Sequence, residues 1–337
     1  MTRSLGLAAA ALLGTLALAA CGNTAQAQPA EDSRIQVLSS TTVYANLAGQ
    51  IGGDLVDSVS IIDSPSQDPH SYEATARDKL AVSKAQLVIG NGGGYDQFLD
   101  NLTQDLHLPE QAVLHAVDHS PVPAESPEPE HEATEHDAHE HEHEATEHDA
   151  HEHEDDAHSG HAHAGYNEHV WYDLDSMREL VPEIADRLST ISPENRAAFE
   201  ANAATLDKEL SGLESSAKTL RGEVQGRHFA MTEPVPYHLL EDLGMEDLTP
   251  AGFSEAIEGG AEVSPQALKK MTDLLAAGKI DVLAYNTQTA SPQTERIRDF
   301  ALKQNVPVVD FSETLPPNTG YTEWMAGNLQ SIETGVK

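Results

Sequence analysis

Histidine and carboxylate are the residue types in this chain whose number and spacing point to chemistry. Eleven of its eighteen histidines lie between 131 and 163, where a twelve-residue unit, HEATEHDAHEHE, occupies 131–142, repeats unchanged at 143–154, and runs on into DDAHSGHAHAG. Imidazole is a borderline-soft ligand suited to zinc, copper and nickel, and a tract of this composition reads as metal-binding. The interleaved acids add hard oxygen ligands. A solvated acidic spacer is the plain alternative, but a spacer needs only charge, and charge alone does not account for the histidines. The stretch 131–163 contains no aliphatic side chain larger than alanine, no Phe, Tyr or Trp and no Lys or Arg. It therefore cannot bury enough apolar surface to offset the entropy of ordering it, and a disordered loop is expected over about 119–165.

Three further residues are candidates for ligation. His169 stands in Asn167-Glu168-His169-Val170-Trp171-Tyr172-Asp173, where a tract that attracts metal meets bulky apolar residues and so a return to packed structure; a satisfied core histidine is the alternative. His70 stands in Ser66-Gln67-Asp68-Pro69-His70-Ser71-Tyr72-Glu73. Pro69 fixes its own φ and holds Asp68 extended, so His70 is presented from a stiffened loop, or else is incidental to a surface turn. Glu233, in Thr232-Glu233-Pro234, is a carboxylate before a proline-containing turn, or an ordinary acid at a helix start. Two imidazoles and a carboxylate, with a fourth oxygen, make a transition-metal site.

The elements that position these residues alternate. Strands are expected at 35–39, 56–62, 87–89 and 112–117, with helices at 43–51 and 95–102. This βα alternation predicts an α/β fold with mainly parallel sheets, in which ligands bind beyond the carboxyl ends of the strands. The run Gly90-Asn91-Gly92-Gly93-Gly94 lacks the phosphate-loop pattern and reads as a flexible strand-to-helix turn. Helices at 174–188 and 195–222 follow, divided by Ser192-Pro193-Glu194, and the second spans on the order of 40 Å. That long helix marks the boundary between two lobes. The second lobe repeats the pattern, with strands at 229–231, 282–285 and 306–311 and helices at 236–243, 264–277, 291–304 and 321–332. His70, His169 and Glu233 then fall on one rim of the two lobes.

The N-terminus carries Arg3, an apolar run over 5–18 and Leu18-Ala19-Ala20-Cys21. The run is too short to span a membrane and ends at small residues, which reads as a secretory signal over 1–20. Leu-Ala-Ala-Cys resembles the bacterial lipobox, whose cysteine is lipidated, so Cys21 is the expected lipidation site and 21–33 a polar tether. Cys21 is the only cysteine, which excludes an intrachain disulfide. The formal charge of −37 argues against nucleic acid as a partner and is compatible with gathering cations. The expected folded parts are an N-terminal metal-binding lobe over 34–174, a linking helical region over 175–222 and a C-terminal metal-binding lobe over 223–337.

Taken together, the lipobox, Asp68-Pro69-His70-Ser71-Tyr72-Glu73, the acidic histidine-rich insertion, Glu168-His169-Val170-Trp171-Tyr172-Asp173 and the long helix resemble the metal-binding lipoproteins of bacterial ABC importers for zinc and manganese, the cluster A-I or cluster nine group. The resemblance covers nearly all of the mature chain. It implies two βα lobes joined by a long rigid helix, a metal held in the cleft, no catalysis, and delivery to a membrane permease with its ATPase. It also implies a monomer anchored by lipid at the extracytoplasmic face of the bacterial cell membrane. His70 and His169 match the family's first two ligand histidines. Zinc members usually have histidine at the third position and manganese members glutamate. Counting back from Leu243-Gly244-Met245 places Glu233 there, and a shifted alignment would substitute His228 or His238. The family's usual fourth ligand, an acid near the start of the helix after the penultimate strand, is replaced here by Asn286, Gln288, Thr289 and Ser291. The histidine-rich loop favours zinc as the bound substrate, and Glu233 leans toward manganese.

Other function classes fit less well. A zinc hydrolase needs an open metal position beside a general base, for which only Glu73 or Glu233 offers itself, and the folded part has no His-Glu-x-x-His helix. A surface zinc buffer or adhesin needs only the loop and the anchor. A binder of organic solutes needs an aromatic pocket, and the chain has two tryptophans. If the loop captures zinc for the cleft, deleting 131–163 is expected to slow loading at scarce zinc while leaving the cleft stoichiometry at one, measured as zinc uptake into purified protein. An unchanged loading rate would reduce the loop to a spacer.

Overall fold

Short, continuous apolar runs become strands buried on both faces, which is what parallel sheets covered by helices require. In the computed structural model, which describes residues 34–121 and 167–337, the first lobe runs β1 (Ile35–Thr41), α1 (Thr42–Gly52), β2 (Val56–Ile62), α2 (Ala76–Val82), β3 (Leu87–Gly90), α3 (Gln97–Asp105) and β4 (Val113–His115). Its four strands are all parallel, in the order β2-β1-β3-β4. After α4 (Leu174–Ile191) and α5 (Arg196–Val224) the second lobe follows as β5 (His228–Met231), α6 (Tyr237–Asp242), β6 (Glu246–Asp247), α7 (Ser254–Glu258), α8 (Pro265–Ala276), β7 (Val282–Asn286), α9 (Pro292–Lys303), β8 (Val308–Phe311) and α10 (Tyr321–Val336). Its sheet is also parallel, in the order β6-β5-β7-β8. The two sheets thus share one strand order, and in each the chain reverses direction across the sheet beside its first strand.

The link between lobes is α5, 29 residues and so roughly 43 Å long at the helical rise. Phe199, Ala203, Leu206, Leu210, Leu213, Leu220 and Val224 are its buried residues, a stripe with alternating spacings of three and four that keeps one face inward. That face packs on α1, α4 and α10. Near its start Asn202 Nδ2 donates to Ile51 O at 3.0 Å, and near its end an Arg221 guanidinium N–H donates to Asp242 O at 2.8 Å, so the helix is tied to both lobes. Beyond β8 the chain returns to the first lobe: Leu315 N donates to Thr42 Oγ1 at 2.9 Å, Tyr321 N to Asn46 Oδ1 at 2.9 Å and Tyr321 Oη to Trp171 O at 2.7 Å. One apolar core runs through α1, α4, α5, α6 and α10 and into both sheets.

Sequence patterning finds every strand except β6, which has two residues. It also misses α2, whose only buried residue is Val82, so that no apolar stripe announces it. The capping box of Thr75 with Asp78 does mark its start. The five-residue α7 is too short to show a period. The signal segment, Cys21 and its tether, and the histidine-rich tract lie outside the described residues. Among the described residues no helix is long and apolar enough to cross a membrane.

Because the core is continuous, truncating it on the linking helix is expected to weaken both lobes together. Leu210 is fully buried, and Leu210→Ala should cost about 2–5 kcal/mol in a single cooperative unfolding transition of the metal-free protein. Two separate transitions in calorimetry would show that the lobes fold independently.

Candidate metal centre

The loops leaving the carboxyl ends of both sheets supply the side chains of one cleft. After β2, the Asp68 carboxylate accepts from His70 N at 2.9 Å and from Ser71 Oγ at 2.7 Å, so the acid before Pro69 folds the loop that presents the imidazole. After β3, Gly92, Gly93 and Gly94 all have positive φ, between 68° and 98°, which only glycine adopts readily. They wrap the backbone around the buried Asp96 carboxylate, which accepts from Asn91 N at 2.6 Å and Gly92 N at 2.9 Å. This turn presents Tyr95, whose ring lies edge-on to His70, centroids 4.9 Å apart, and 5.8 Å from His169.

His169 is held from behind. Asn167 Oδ1 accepts from His169 N at 3.0 Å and lies 2.6 Å from His169 Nδ1, while Asn167 Nδ2 donates to Pro234 O at 2.8 Å. With the amide so oriented, Oδ1 accepts and Nδ1 carries the proton, which turns the lone pair of Nε2 into the cleft. Ligating histidines are fixed in this way, with the second ring nitrogen donating. His238 supports the same strut, its Nε2 donating to Asn167 O at 2.9 Å. It packs behind His169. His228 lies at the amino end of β5, roughly 15 Å of extended chain from Glu233, against Glu246 and Asp281.

The second lobe contributes carboxyls. Asn286, at the end of β7, directs Nδ2 to Glu233 Oε2, to Glu313 Oε1 at 2.8 Å and to Thr289 Oγ1 at 2.9 Å. Gln288 Oε1 accepts from the backbone N–H groups of Glu313 and Thr314, each at 2.7 Å, and Tyr95 Oη donates to Glu313 Oε2 at 3.0 Å. The polar stretch that offers no charged ligand of its own is thus what aims two carboxyls. Beside that stretch, where the family's usual fourth ligand is an acid, stands Glu313, just past β8. Nothing local marks Glu313 among 56 acids, although the rule that ligands gather at strand carboxyl ends applies to β8 as it does to β5.

Among the described residues, two groups of donors come close enough to share an ion: one donor atom each from His70, His169 and Glu313 lie within 4.8 Å of one another, and so do one each from His70, Glu168 and Glu258. Glu233 belongs to neither and reaches Glu313 through Asn286. Glu258 Oε1 is 3.5 Å from His169 Nε2 and 4.0 Å from His70 Nε2. Burial pushes Glu233 up to about 7, Glu313 to about 8 and Glu258 to about 9. The charges acting most strongly on all three are those of other carboxylates, Asp68, Glu168, Glu233, Glu255 and Glu313 among them. Asn286 opposes the shift at Glu233 and Glu313. Buried acids grouped with other acids and imidazoles, and held by neutral amide and phenol donors, fit a divalent cation, which would supply the countercharge.

Two parallel βα lobes, a long linking helix and a cleft of imidazoles and carboxylates define a metal-binding protein of the two-lobed, substrate-binding class. The chain belongs to the family described as zinc-uptake complex component A, periplasmic, whose profile matches residues 37–335. This is a family of substrate-binding components of metal ABC transporters, not of enzymes. The chain is 21% identical over 338 residues to the manganese ABC transporter substrate-binding lipoprotein ScaA of Streptococcus gordonii, covering 96% of each. It is 23% identical to the zinc-binding lipoprotein AdcA of Streptococcus pneumoniae, over 96% of this chain and 59% of AdcA. Among solved structures, the substrate-binding protein FpvC of Pseudomonas aeruginosa in complex with Mn2+ superposes with a TM-score of 0.65 at 22% identity, over 90% of this chain and 98% of that one. A zinc-bound ZnuA lacking 138–173 matches with a TM-score of 0.65 at 17% identity, over the same shares.

The raised carboxyls set a pH dependence. Unfolded, these glutamates titrate near 4.5, and folded and metal-free they hold their protons up to about 7, 8 and 9. The native state therefore binds more protons across that window, and its stability falls as pH rises through it. Asp242, raised to about 7, acts in the same sense. The melting temperature of the metal-free protein is expected to fall from pH 6 to pH 9, and to fall less in Glu313→Gln. A metal ion reverses the sign, since it displaces those protons, so its affinity should rise over the same range and weaken further below about pH 6 as the histidines protonate. Metal affinity that stays flat from pH 5 to pH 8 would count against this donor set.

Proposed function

We propose that this chain is the extracytoplasmic, lipid-anchored binding component of a metal ABC importer, which holds one zinc ion between its lobes and delivers it to a membrane permease driven by an ATPase. The observation that carries the reading is the convergence of His70, His169 and Glu313 in a buried cleft, with Glu233 joined to Glu313 through Asn286. His70, His169, Glu233 and Glu313 are the proposed ligands. Cys21 carries the anchor, consistent with relatives named as lipoproteins. The chain acts as a monomer, and the tract 131–163 gathers metal near the membrane.

Zinc is favoured because it stands above manganese in affinity for nitrogen and oxygen sites generally, and because a histidine tract serves a borderline metal rather than a hard one. Manganese is the second reading, favoured by one observation: carboxyls outnumber imidazoles in the cleft. Relatives named for each metal occur.

Metal analysis of purified protein lacking 131–163, titrated with zinc and manganese in competition, separates the readings. One tightly bound zinc, lost in His169→Ala, is the expected result. One manganese retained against zinc would establish the second reading, and no tight metal at all would overturn both and leave the tract as a surface buffer.

A further inference from the structure

The buried ligand set leaves Glu258 unexplained. This residue ends α7, whose neighbouring Phe253 and Ile257 pack into the apolar core of the second lobe, so the carboxyl is held across the cleft and not in solvent. Its side chain is 9% exposed, and Oε1 accepts no hydrogen bond among the described residues. That oxygen stands 3.5 Å from His169 Nε2 and 4.0 Å from His70 Nε2. Metal bonds of about 2.0–2.2 Å at tetrahedral angles place donor atoms roughly 3.4 Å apart, so these separations are close to those of groups that share an ion. Glu168 completes a second trio with His70 and Glu258. Its backbone is fixed by Asn91 Nδ2, which donates to Glu168 O at 2.9 Å.

We propose that His70, Glu168 and Glu258 form a second, outer metal position through which the transported ion passes on its way to and from the buried one. The inference rests on the metal-import reading above. Both positions use His70, so they are alternatives for one ion rather than sites for two. Apart from the shared His70, the outer set is the more accessible: Glu258 and Glu168 are 9% and 3% exposed, against 0% for His169 and 1% for Glu313. Glu258 Oε1 is within reach of His169 as well. An ion can therefore exchange Glu168 for His169 while His70 and Glu258 remain bound, and only then engage Glu313. Ligands change one at a time, and the ion is never stripped of its protein donors in a low-dielectric cleft, where that would be most unfavourable. The histidine tract ends at His163, five residues before Glu168, so one member of the outer set follows directly on the tract.

The test uses full-length, metal-stripped protein and zinc alone, with loading and transfer to a chromophoric chelator followed by stopped flow. Glu258→Gln, which preserves size, should still bind one zinc but load and release it about tenfold more slowly, the low end of what loss of a supporting group does to a metal site. Glu313→Gln should retain one weakly held zinc, and Glu258→Gln combined with Glu313→Gln should retain none. Glu258→Ala provides a second substitution if the amide alters the loop. Wild-type rates in both Glu258 variants, or equal binding by Glu313→Gln and the double variant, would overturn the outer position while leaving the buried one intact. Failure of the wild-type chain to bind zinc or manganese would instead strike the functional reading itself.

Discussion

Uncompensated negative charge is the constraint from which the rest of this structure follows. Glu168, Glu233, Glu258 and Glu313 share a cleft with two imidazoles, and the charges that act most strongly on Glu233, Glu258 and Glu313 are those of other carboxylates. Burial raises their proton affinity, and amide and phenol donors hold them in place without neutralising them. An arrangement like this is unfavourable for an empty protein at neutral pH. It becomes favourable when a divalent cation displaces the protons, and the fold is organised to keep the acids there nonetheless.

Rigidity makes that possible. The linking helix, α1, α4, α6 and α10 form one core, and the hydrogen bonds from Leu315 and Tyr321 back to α1 stitch the end of the second lobe to the start of the first. Side chains from opposing strand ends are thereby held in contact, as Tyr95 is with Glu313. His169 shows the same economy at the scale of one residue. Its tautomer depends on Asn167, which depends in turn on Pro234 and His238 from the other lobe.

Much of this was legible in the sequence, and the parts that were not share a cause. Apolar runs and Ser-Pro caps located the long elements, because burial on a parallel sheet and capping at a helix start leave local marks. His70 and His169 were legible because each is flanked by residues of another kind, a proline in one case and aromatic residues in the other. Glu313 and Glu258 were not, since an acid in an acidic chain carries no local mark and only the closing of the second sheet brings it to the cleft. Asn286 and Gln288 were read as an absence of ligands, whereas their amides orient the ligands that others supply. Position relative to a strand end was the information needed, and it belongs to topology, not to composition.

The shared strand order of the two sheets has a chemical meaning. β2 corresponds to β6, and β4 to β8, so His70 and Glu258 both come after equivalent edge strands, and His169 and Glu313 both come after the last strand of their sheet. Tyr95, after β3, and Asn286, at the end of the equivalent strand β7, converge on the same carboxyl. One half of the molecule brings all the nitrogen donors, and the other brings most of the oxygen. A cation held by both sets would add a joint between the halves to the core that already links them, and any parting of them would divide imidazole nitrogens from carboxylate oxygens in a single motion.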